Sequence, residues 1–213
     1  MKPGEYIDAA RVPLTLKPQA FGMWQITRVD SREIEWPNWQ AQLQWKIQAG
    51  YDIVTFLKRM TLATPHSDGE TVMEDSAREL RKHLPIWLEA QGRILVTGLG
   101  LGCVVRGLLA KPEVEQVDVL EIDRSILRVV GHEFIGNRRV HLHLADAFDW
   151  QPGHKQFDYA WHDIWSEGES HISVLHARLM LRYSDFVKRQ GAWGMPSWFK
   201  RLLSRSMPDK ILV

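Results

Sequence analysis

The sequence predicts an α/β fold of the doubly wound type, in which helices cover both faces of a parallel sheet. Strand-like and helix-like runs alternate after residue 92, and the strand-like runs are almost continuously apolar, as parallel strands buried on both faces are. The first of these strands leads into RILVTGLGLGCVVRG (93–107), which places glycines at positions 98, 100 and 102. Because ligands of such sheets bind at the carboxyl ends of the strands, the glycine turn marks the expected binding edge.

The alternation predicts the elements of this domain in order. Strands are predicted at 93–97, 117–122, 140–145 and 157–164, and helices at 102–110, 124–134 and about 170–189. The run GAWGMPSW (191–198) is expected to hold a fifth strand. The fifteen residues after it are too few and too basic for the antiparallel hairpin that usually completes such a sheet. We therefore expect a truncated C-terminal end with an open sheet edge, through which two copies could pair as a homodimer.

Residues 1–92 are expected to form a small N-terminal α+β extension in front of a ligand-binding domain at 93–213. Its predicted elements are a strand at 21–30, a helix at 38–60, a hairpin over 60–75 that turns at Asp68-Gly69, and a helix over 76–92. Ser76 and Glu79 stand at capping-box spacing at the start of that last helix, and Pro85 is expected to interrupt it.

The composition narrows the classes of partner. A formal net charge of +1 over 213 residues gives no overall field that would favour nucleic acid or a membrane surface. The single cysteine, Cys103, excludes an internal disulfide framework and suits a reducing cytoplasm. The uncharged run between Arg93 and Arg106 has twelve residues, against about 20 needed to cross a bilayer. Ten tryptophans leave two interpretations open, a bulky core or a stacking wall for a planar substrate.

Three acids end three successive predicted strands beside the glycine turn. Glu121 ends the second strand, 21 residues after Gly100, Asp146 follows the third, and Asp163 follows the fourth. These positions suit the hydroxyls of a ribose, the amine of an adenine and a cationic centre, whereas the anionic pyrophosphate of NAD suits them less well. The dinucleotide fingerprint also requires a third glycine where Cys103 stands. S-adenosylmethionine has all three of the expected features, and no metal site is predicted.

Residues 93–165 resemble the class I S-adenosylmethionine-dependent methyltransferases, and especially their spermidine-synthase-like branch. The resemblance is carried by RILVTGLGLGCVVRGLLAKPEVEQVDVLEID (93–123), by ADAF (145–148) and by VMEDSARELRKHLPIWL (72–88). It implies a Rossmann-like fold that uses S-adenosylmethionine as cofactor. The cofactor-binding residues that we expect are Gly98, Leu99, Gly100, Gly102, Glu121, Ile122, Asp146, Ala147 and Asp163.

Two departures from that branch argue against a polyamine substrate. Leu101 stands where those enzymes carry an acid in the glycine turn, and His-Asp-Ile-Trp (162–165) stands where they carry an Asp-Ser-Ser-Asp-like sequence. The sequence therefore favours a methyltransferase whose acceptor is unknown, with a small molecule preferred to nucleic acid. Aminopropyl transfer and a non-catalytic cofactor-binding or scaffold role stay open as alternatives, and a nicotinamide oxidoreductase is a more distant one.

Candidate catalytic residues lie at the end of the fourth strand. Methyl transfer needs a base only when the acceptor arrives protonated, and Asp163 or His162 could then serve. Strand alternation puts the two side chains on opposite faces, but at a strand end it relaxes, so both are candidates for the cleft. Trp161 and Trp165 flank the pair and are candidates to sandwich a planar acceptor, or else pack against neighbouring helices.

The acceptor side of the site is expected in the N-terminal extension. The predicted hairpin runs straight into the binding domain, so residues 1–92 are expected to act as an acceptor lid. Glu74 and Asp75, at the end of that hairpin, are the candidate contacts.

Overall fold

The computed structural model describes residues 1–30, 38, 52–58, 70–165, 172–206 and 209–211. Within them lie two sheets, one parallel and one antiparallel. The strands are β1 (Gln19–Phe21), β2 (Trp24–Asp30), β3 (Asp52–Lys58), β4 (Glu70–Glu74), β5 (Gly92–Thr97), β6 (Val114–Glu121), β7 (Val140–Leu144), β8 (Phe157–His162) and β9 (Val187–Ala192).

The larger sheet has five parallel strands in the order β7-β6-β5-β8-β9. Its central strand β5 is buried from Ile94 to Thr97, which explains the unbroken apolar run there. The strand order reverses between β5 and β8, and this switch point is where open α/β sheets bind ligands. The chain thus has the Rossmann-like, doubly wound α/β fold that the sequence predicts.

The helices are short and accompany both sheets. They are α1 (Pro3–Ala10), α2 (Ala77–Leu80), α3 (Leu84–Glu89), α4 (Cys103–Leu109), α5 (Arg124–Val129), α6 (Ile172–Tyr183) and α7 (Ser197–Ser206), with 3₁₀ turns at Arg81–His83 and Gly131–Phe134. The Ser76 hydroxyl accepts a hydrogen bond from the Glu79 amide at 3.2 Å, so the predicted cap forms. Pro85 lies in the first turn of α3, after the 3₁₀ turn, because proline lacks the N–H that a helix interior requires. No described helix has the length and hydropathy that a membrane crossing requires.

Tryptophan builds much of the core. Trp87 is fully buried against Gly107 of α4, and its indole N–H donates to the Val104 carbonyl oxygen at 3.1 Å. Trp161, Trp165 and Trp193 are also buried. Most of the described tryptophans therefore pack in the interior, as aromatic side chains usually do.

The smaller sheet is antiparallel, in the order β1-β2-β3-β4. The helix predicted over 38–60 is wrong at 52–58, where the chain forms β3, because DIVTFLK is rich in β-branched and aromatic residues that favour strands. Residues 39–50 lie outside the described residues, and so does the predicted turn at Asp68-Gly69. The strand predicted before Asp75 is present as β4, paired with β3.

The C-terminal part also differs from the prediction. The last long helix, α6, ends at Tyr183 rather than near 189, and β9 starts at Val187, so the predicted strand within 191–198 is displaced toward the N-terminus. Gln190 supports this register, because its buried amide bonds both His162 and the Met180 carbonyl. On the outer edge of β9, Gln190 pairs with Ile211, so a segment that follows α7 covers part of the edge. The homodimer stays a prediction.

Candidate functional site

A cavity of about 500 Å³ lies between the carboxyl ends of the parallel strands and the antiparallel sheet. One side, here called the strand-end wall, consists of Gly98, Gly100, Leu120, Glu121, Ile122, Asp123, Ile126, Ala145, Asp146, Ala147, Phe148, Asp163, Ile164 and Trp165. The other, here called the N-terminal wall, consists of Met23, Trp24, Phe56, Lys58, Val72 and Met73. The cavity therefore occupies the switch point of the sheet, where the fold predicts a ligand.

The glycine turn after β5 brings backbone to the cavity. Gly98 has a φ of +89°, and a Cβ there would collide with the carbonyl oxygen of Asp163. Gly100 has a φ of +50°, and a Cβ would come within 2.5 Å of the sulfur of Met73. Only glycine fits either position without strain. The turn thus packs tightly against the end of β8 and against the N-terminal wall at once.

Two of the nine predicted cofactor residues lie outside the cavity lining. Leu99 is buried, and it reaches the site only through its backbone N–H, which donates to Glu121 Oε2 at 2.9 Å. Gly102 lies against the ring of Phe134 and starts α4 rather than facing the cavity. The other seven all line it.

Glu121 is held rigidly at the end of β6. Its two carboxylate oxygens accept hydrogen bonds from the Leu99 and Asp123 amides, at 2.9 and 2.8 Å. The side chain is 6% exposed, and this burial raises the pKa of Glu121 while the backbone hydrogen bonds oppose the rise. Each carboxylate oxygen has a further lone pair, so Glu121 can still accept the hydroxyls of a ligand.

Asp146 combines both roles that the sequence leaves open to it. Its Oδ1 accepts a hydrogen bond from the Phe148 amide at 2.7 Å, which caps the turn after β7. Its Oδ2 takes no hydrogen bond from the described part of the chain, and the residue lines the cavity. One oxygen therefore fixes the side chain and the other is available to a ligand.

Asp163 follows β8, and its amide donates to the Thr97 carbonyl oxygen at 2.8 Å. Its side chain is 16% exposed, and Oδ2 lies 3.9 Å from His83 Nε2. Burial raises the pKa of Asp163 to about 7; the nearby Glu79 adds to this rise and Lys82 opposes it. The carboxyl group is therefore close to its midpoint at neutral pH, as a group that exchanges protons with a substrate should be.

His162 does not reach the cavity, so its predicted role as a base is wrong. The ring is fully buried and stacks on Tyr183 at 5.5 Å between centroids. Its nitrogens bond Thr97 Oγ1 at 3.2 Å and Gln190 Oε1 at 3.1 Å. Burial lowers the pKa of His162 to about 4. Strand alternation persists to the last residue of β8, so His162 and Asp163 stay on opposite faces.

The two tryptophans that flank His162 and Asp163 lie in different places. Trp165 lines the cavity, and its buried ring meets the edge of His176 at 4.1 Å between centroids. Trp161 lies behind the cavity, and its indole N–H donates to His83 Nδ1 at 3.2 Å. The predicted contact with the acceptor therefore stays open for Trp165 and is wrong for Trp161.

Glu74 and Asp75 are also absent from the cavity lining, which corrects their prediction as acceptor contacts. The buried carboxylate of Asp75 accepts from the Val12 amide at 3.0 Å and the Val54 amide at 2.8 Å, and so ties the N-terminal segment to β3. Glu74 accepts from the Ser76 hydroxyl at 2.6 Å. Asp75 thus joins two segments of the N-terminal extension, whereas Glu74 contacts its sequence neighbours Ser76 and Arg78, and neither acid lines the cavity.

The N-terminal wall is the part of the site that the sequence prediction missed. Trp24 stacks on Phe56 with 4.8 Å between ring centroids and 18° between planes, and the indole N–H donates to Asp123 Oδ2 at 2.6 Å. Strand alternation on β3 puts Phe56 and Lys58 on one face, and Lys58 is the only cationic side chain among the described lining residues. These residues meet only through strand pairing, which no local motif reveals.

A β-bulge widens this wall. Phe56 pairs with Met73 and Leu57 with Thr71, so Val72 is an extra residue on β4. The bulge lets two consecutive residues, Val72 and Met73, both line the cavity. The sulfur of Met73 also accepts a hydrogen bond from the Leu101 amide at 3.1 Å, so β4 touches the glycine turn directly.

The chain is similar to several methyltransferases of known structure. No protein-family model matches the chain, and no curated protein matches it. It is similar to the 23S rRNA methyltransferase ErmE, with 19% identity and a TM-score of 0.41 over 52% of this chain and 42% of that one. It is also similar to a putative RNA methyltransferase from Pyrococcus horikoshii, with 14% identity and a TM-score of 0.43 over 61% of this chain and 63% of that one. A third similar structure is an S-adenosylmethionine-dependent methyltransferase from Clostridium acetobutylicum ATCC 824, with 14% identity and a TM-score of 0.36 over 50% of this chain and 42% of that one. The chain spans less than two thirds of the length of each.

Proposed function

We propose that this chain is an S-adenosylmethionine-dependent methyltransferase that acts on a small-molecule acceptor. The observation that carries the proposal is the meeting of the glycine turn with Glu121, Asp146 and Asp163 around one cavity at the switch point. Carboxylates beside a glycine-rich turn suit a ligand with a diol, an exocyclic amine and a cationic centre. The chemistry of these donors and acceptors therefore fits S-adenosylmethionine.

Five residues of the strand-end wall have a role in this proposal. Glu121 would accept hydrogen bonds from the ribose hydroxyls, and the available Oδ2 of Asp146 would accept one from the adenine amine. Asp163 would face the sulfonium end of the cofactor. Gly98 and Gly100 line the cavity with backbone, and the contacts of the turn with Asp163 and Met73 require glycine at both positions. The bound cofactor supplies a methyl group on a sulfonium, and the protein has to align the acceptor with it and exclude water.

The acceptor side of the proposal lies in the N-terminal wall. Residues 1–92 would form the acceptor lid in front of a cofactor domain at 93–213, through Trp24, Phe56 and Lys58 instead of Glu74 and Asp75. The stacked rings and the two methionines of this wall offer an apolar, polarisable surface that suits a small organic acceptor.

The spermidine-synthase-like branch supplies a second candidate reaction, aminopropyl transfer. Against it, Leu101 stands where those enzymes carry an acid, and this side chain is fully buried and lies outside the cavity lining. A calorimetric titration with decarboxylated S-adenosylmethionine separates the reactions. Tighter binding of the decarboxylated compound would favour aminopropyl transfer, and tighter binding of the intact compound favours methyl transfer.

The proposed function is tested by calorimetric titration with S-adenosylmethionine, S-adenosylhomocysteine and NAD. Both adenosyl compounds should bind and NAD should not. Glu121→Gln, which cannot accept with both side-chain atoms, should weaken binding by about tenfold, equivalent to about 1.4 kcal/mol. The matched control is Glu115→Gln, on the same strand but exposed, and thermal unfolding verifies that each variant folds.

Two outcomes would contradict this proposal. Binding of NAD alone would make the site a dinucleotide site, and binding of none of the three compounds would remove the cofactor altogether. A protein that binds both adenosyl compounds but methylates none of a mixed set of amines and phenols would instead have the non-catalytic role.

A further inference from the structure

A fully buried histidine lies directly behind the cavity. His83 ends the 3₁₀ turn Arg81–His83, and its side chain is 0% exposed. Its ring packs between Trp87 and Trp161, at 5.5 and 5.9 Å between centroids. The imidazole is therefore surrounded by aromatic rings and shielded from solvent.

The hydrogen bonds of His83 identify its tautomer. The indole N–H of Trp161 donates to Nδ1 at 3.2 Å, and indole nitrogen can only donate. Nδ1 therefore carries a lone pair, and the proton of the neutral ring sits on Nε2. Burial, with help from the neighbouring Lys82, lowers the pKa of His83 to about 3, so the ring is neutral at physiological pH.

The Nε2 atom of His83 lies on the side of Asp163. It has no hydrogen-bond partner among the described residues, and Asp163 Oδ2 lies 3.9 Å away. This distance is too long for a direct hydrogen bond, but a small rotation of the carboxyl group or one bridging water would close it. Since buried N–H groups are rarely left unpaired, this one is held ready for the carboxylate.

The other groups around Asp163 are arranged in two sets. Behind it, Glu79 is paired with Lys82 at 2.9 Å and accepts from the Trp193 indole at 2.7 Å. The nearby Cys103 thiol is neutral, because burial raises its pKa to about 12. The cavity side holds Glu121, Asp123, Asp146 and Lys58. His83 is the only one of these that directs an unpaired N–H at the Asp163 carboxyl group.

We propose that His83 is a positioning residue for Asp163, and that the pair serves an acceptor whose nitrogen or oxygen loses a proton on methylation. This inference rests on the proposed function. The acceptor's lone pair forms the new bond to carbon, the electrons of the broken carbon–sulfur bond remain on sulfur, and the acceptor's proton passes to the carboxylate of Asp163. His83 stays neutral and holds that carboxylate through Nε2–H.

Proton release on cofactor binding tests the pair without a known acceptor. Calorimetry at pH 7 in two buffers of different ionisation enthalpy gives the number of protons released by S-adenosylmethionine and by S-adenosylhomocysteine. Only the first carries a sulfonium charge, which favours the ionised form of a nearby carboxyl. Since a group with a pKa of about 7 is half protonated at pH 7, S-adenosylmethionine should release about half a proton more. Asp163→Asn should abolish this difference.

Variants of His83 separate positioning from a structural role. His83→Leu removes the N–H that holds the ionised carboxylate, so the pKa of Asp163 should rise, and the pH at which the difference in proton release is largest should shift upward by about one unit. His83→Gln can accept from Trp161 and donate to Asp163, so it should bring this pH back close to the wild-type value. A purely structural His83 would lower the melting temperature in both variants and leave proton release unchanged, which would overturn the inference.

A measurement on the ligand-free protein keeps the two proposals distinguishable. The side-chain ¹⁵N spectrum of His83 at pH 6 should show a neutral ring protonated on Nε2. A charged ring, or a proton on Nδ1, would overturn the inference and leave the proposed function standing. Failure of both adenosyl compounds to bind would overturn the proposed function and this inference with it.

Discussion

The two walls of the cavity differ in chemistry and in origin. The strand-end wall carries four carboxylates and the glycine turn, and all its residues lie between 98 and 165. The N-terminal wall carries stacked aromatic rings, two methionines, a valine and one lysine, which lie between residues 23 and 73 on or beside the antiparallel strands. Under the proposed function, the first wall would bind a polar, cationic cofactor and the second would cover an apolar acceptor.

The walls are also held by different forces. Backbone amides fix Glu121 and Asp146 on the strand-end wall, so these acids hold their positions before any ligand arrives. The N-terminal wall depends on cross-strand packing and on one charged hydrogen bond, from Trp24 to Asp123, that ties it to the other wall. Changes to the glycine turn, Glu121 or Asp146 should therefore lower stability or cofactor affinity more than changes to the N-terminal wall do.

The largest effect is expected from Gly98→Ala. A methyl group at this position would collide with the Asp163 carbonyl in a left-handed backbone conformation, which should lower the free energy of unfolding by more than about 4 kcal/mol. Gly136→Ala is the matched control, because its φ of +86° is nearly the same but no atom lies within 4 Å. It should lose only about 1–2 kcal/mol. Denaturant unfolding measures both, and equal losses would show that the turn does not pack as described.

Asp163→Asn should show a pH-dependent gain in stability. The pKa of Asp163 is raised in the folded protein to about 7 from 3.8, so the folded state binds more protons in this range and stability falls as pH rises. At pH 8 the free energy of unfolding of the variant should therefore exceed that of the wild type by about 2–4 kcal/mol. Below about pH 4 the Asp163 carboxyl is protonated in both the folded and the unfolded wild type, so the gain should vanish. A gain that is constant across this range would contradict the raised pKa.

Trp24→Phe tests the tie between the walls with a smaller effect. It removes the N–H that donates to Asp123, a hydrogen bond to a charged group worth about 1.5–3 kcal/mol. Because Trp24 helps to lower the pKa of Asp123, this stability is present above about pH 4 and is lost as pH falls below it. Urea unfolding at pH 7 and pH 3 measures the change. Trp198→Phe, at an exposed position, is the control and should leave stability unchanged.

The smallest effect is expected from Lys58→Met. This change removes the one cation from the described lining, so a cationic ligand should gain relative to a neutral one. The ratio of affinities for S-adenosylmethionine and S-adenosylhomocysteine should rise about twofold to fivefold, the size of an exposed charge interaction of about 0.4–1 kcal/mol. A fall in that ratio, measured by calorimetry, would place Lys58 away from the cationic end of the ligand.

The strand-end wall could be predicted because its residues follow from local patterns. Apolar runs mark parallel strands, and the residue that follows each run lies at the binding edge, so Glu121, Asp146 and Asp163 meet although they are far apart in the chain. The glycines at 98 and 100 predict a tight turn, in which side chains would collide with neighbouring residues. His162 shows the limit of such reasoning, because its face depends on how far strand alternation persists.

The N-terminal wall could not be predicted, because its residues meet through the pairing of strands. DIVTFLK carries enough apolar residues to suit a helix or a strand, and only pairing with β2 and β4 decides for the strand. The same holds for Asp75, whose acidity suggests a ligand contact but whose carboxylate is used by the Val12 and Val54 amides. His83 was not a candidate either, since only the folded core places its ring behind Asp163.

The most direct test of the account is a crystal structure of the complex with S-adenosylhomocysteine. The proposed function predicts that the ribose hydroxyls donate hydrogen bonds to Glu121 and the adenine amine to Asp146. The sulfur should face Asp163, and the N-terminal wall should be left open to an acceptor. A complex in which the nucleoside lies against Trp24 and Phe56, away from the glycine turn, would contradict it.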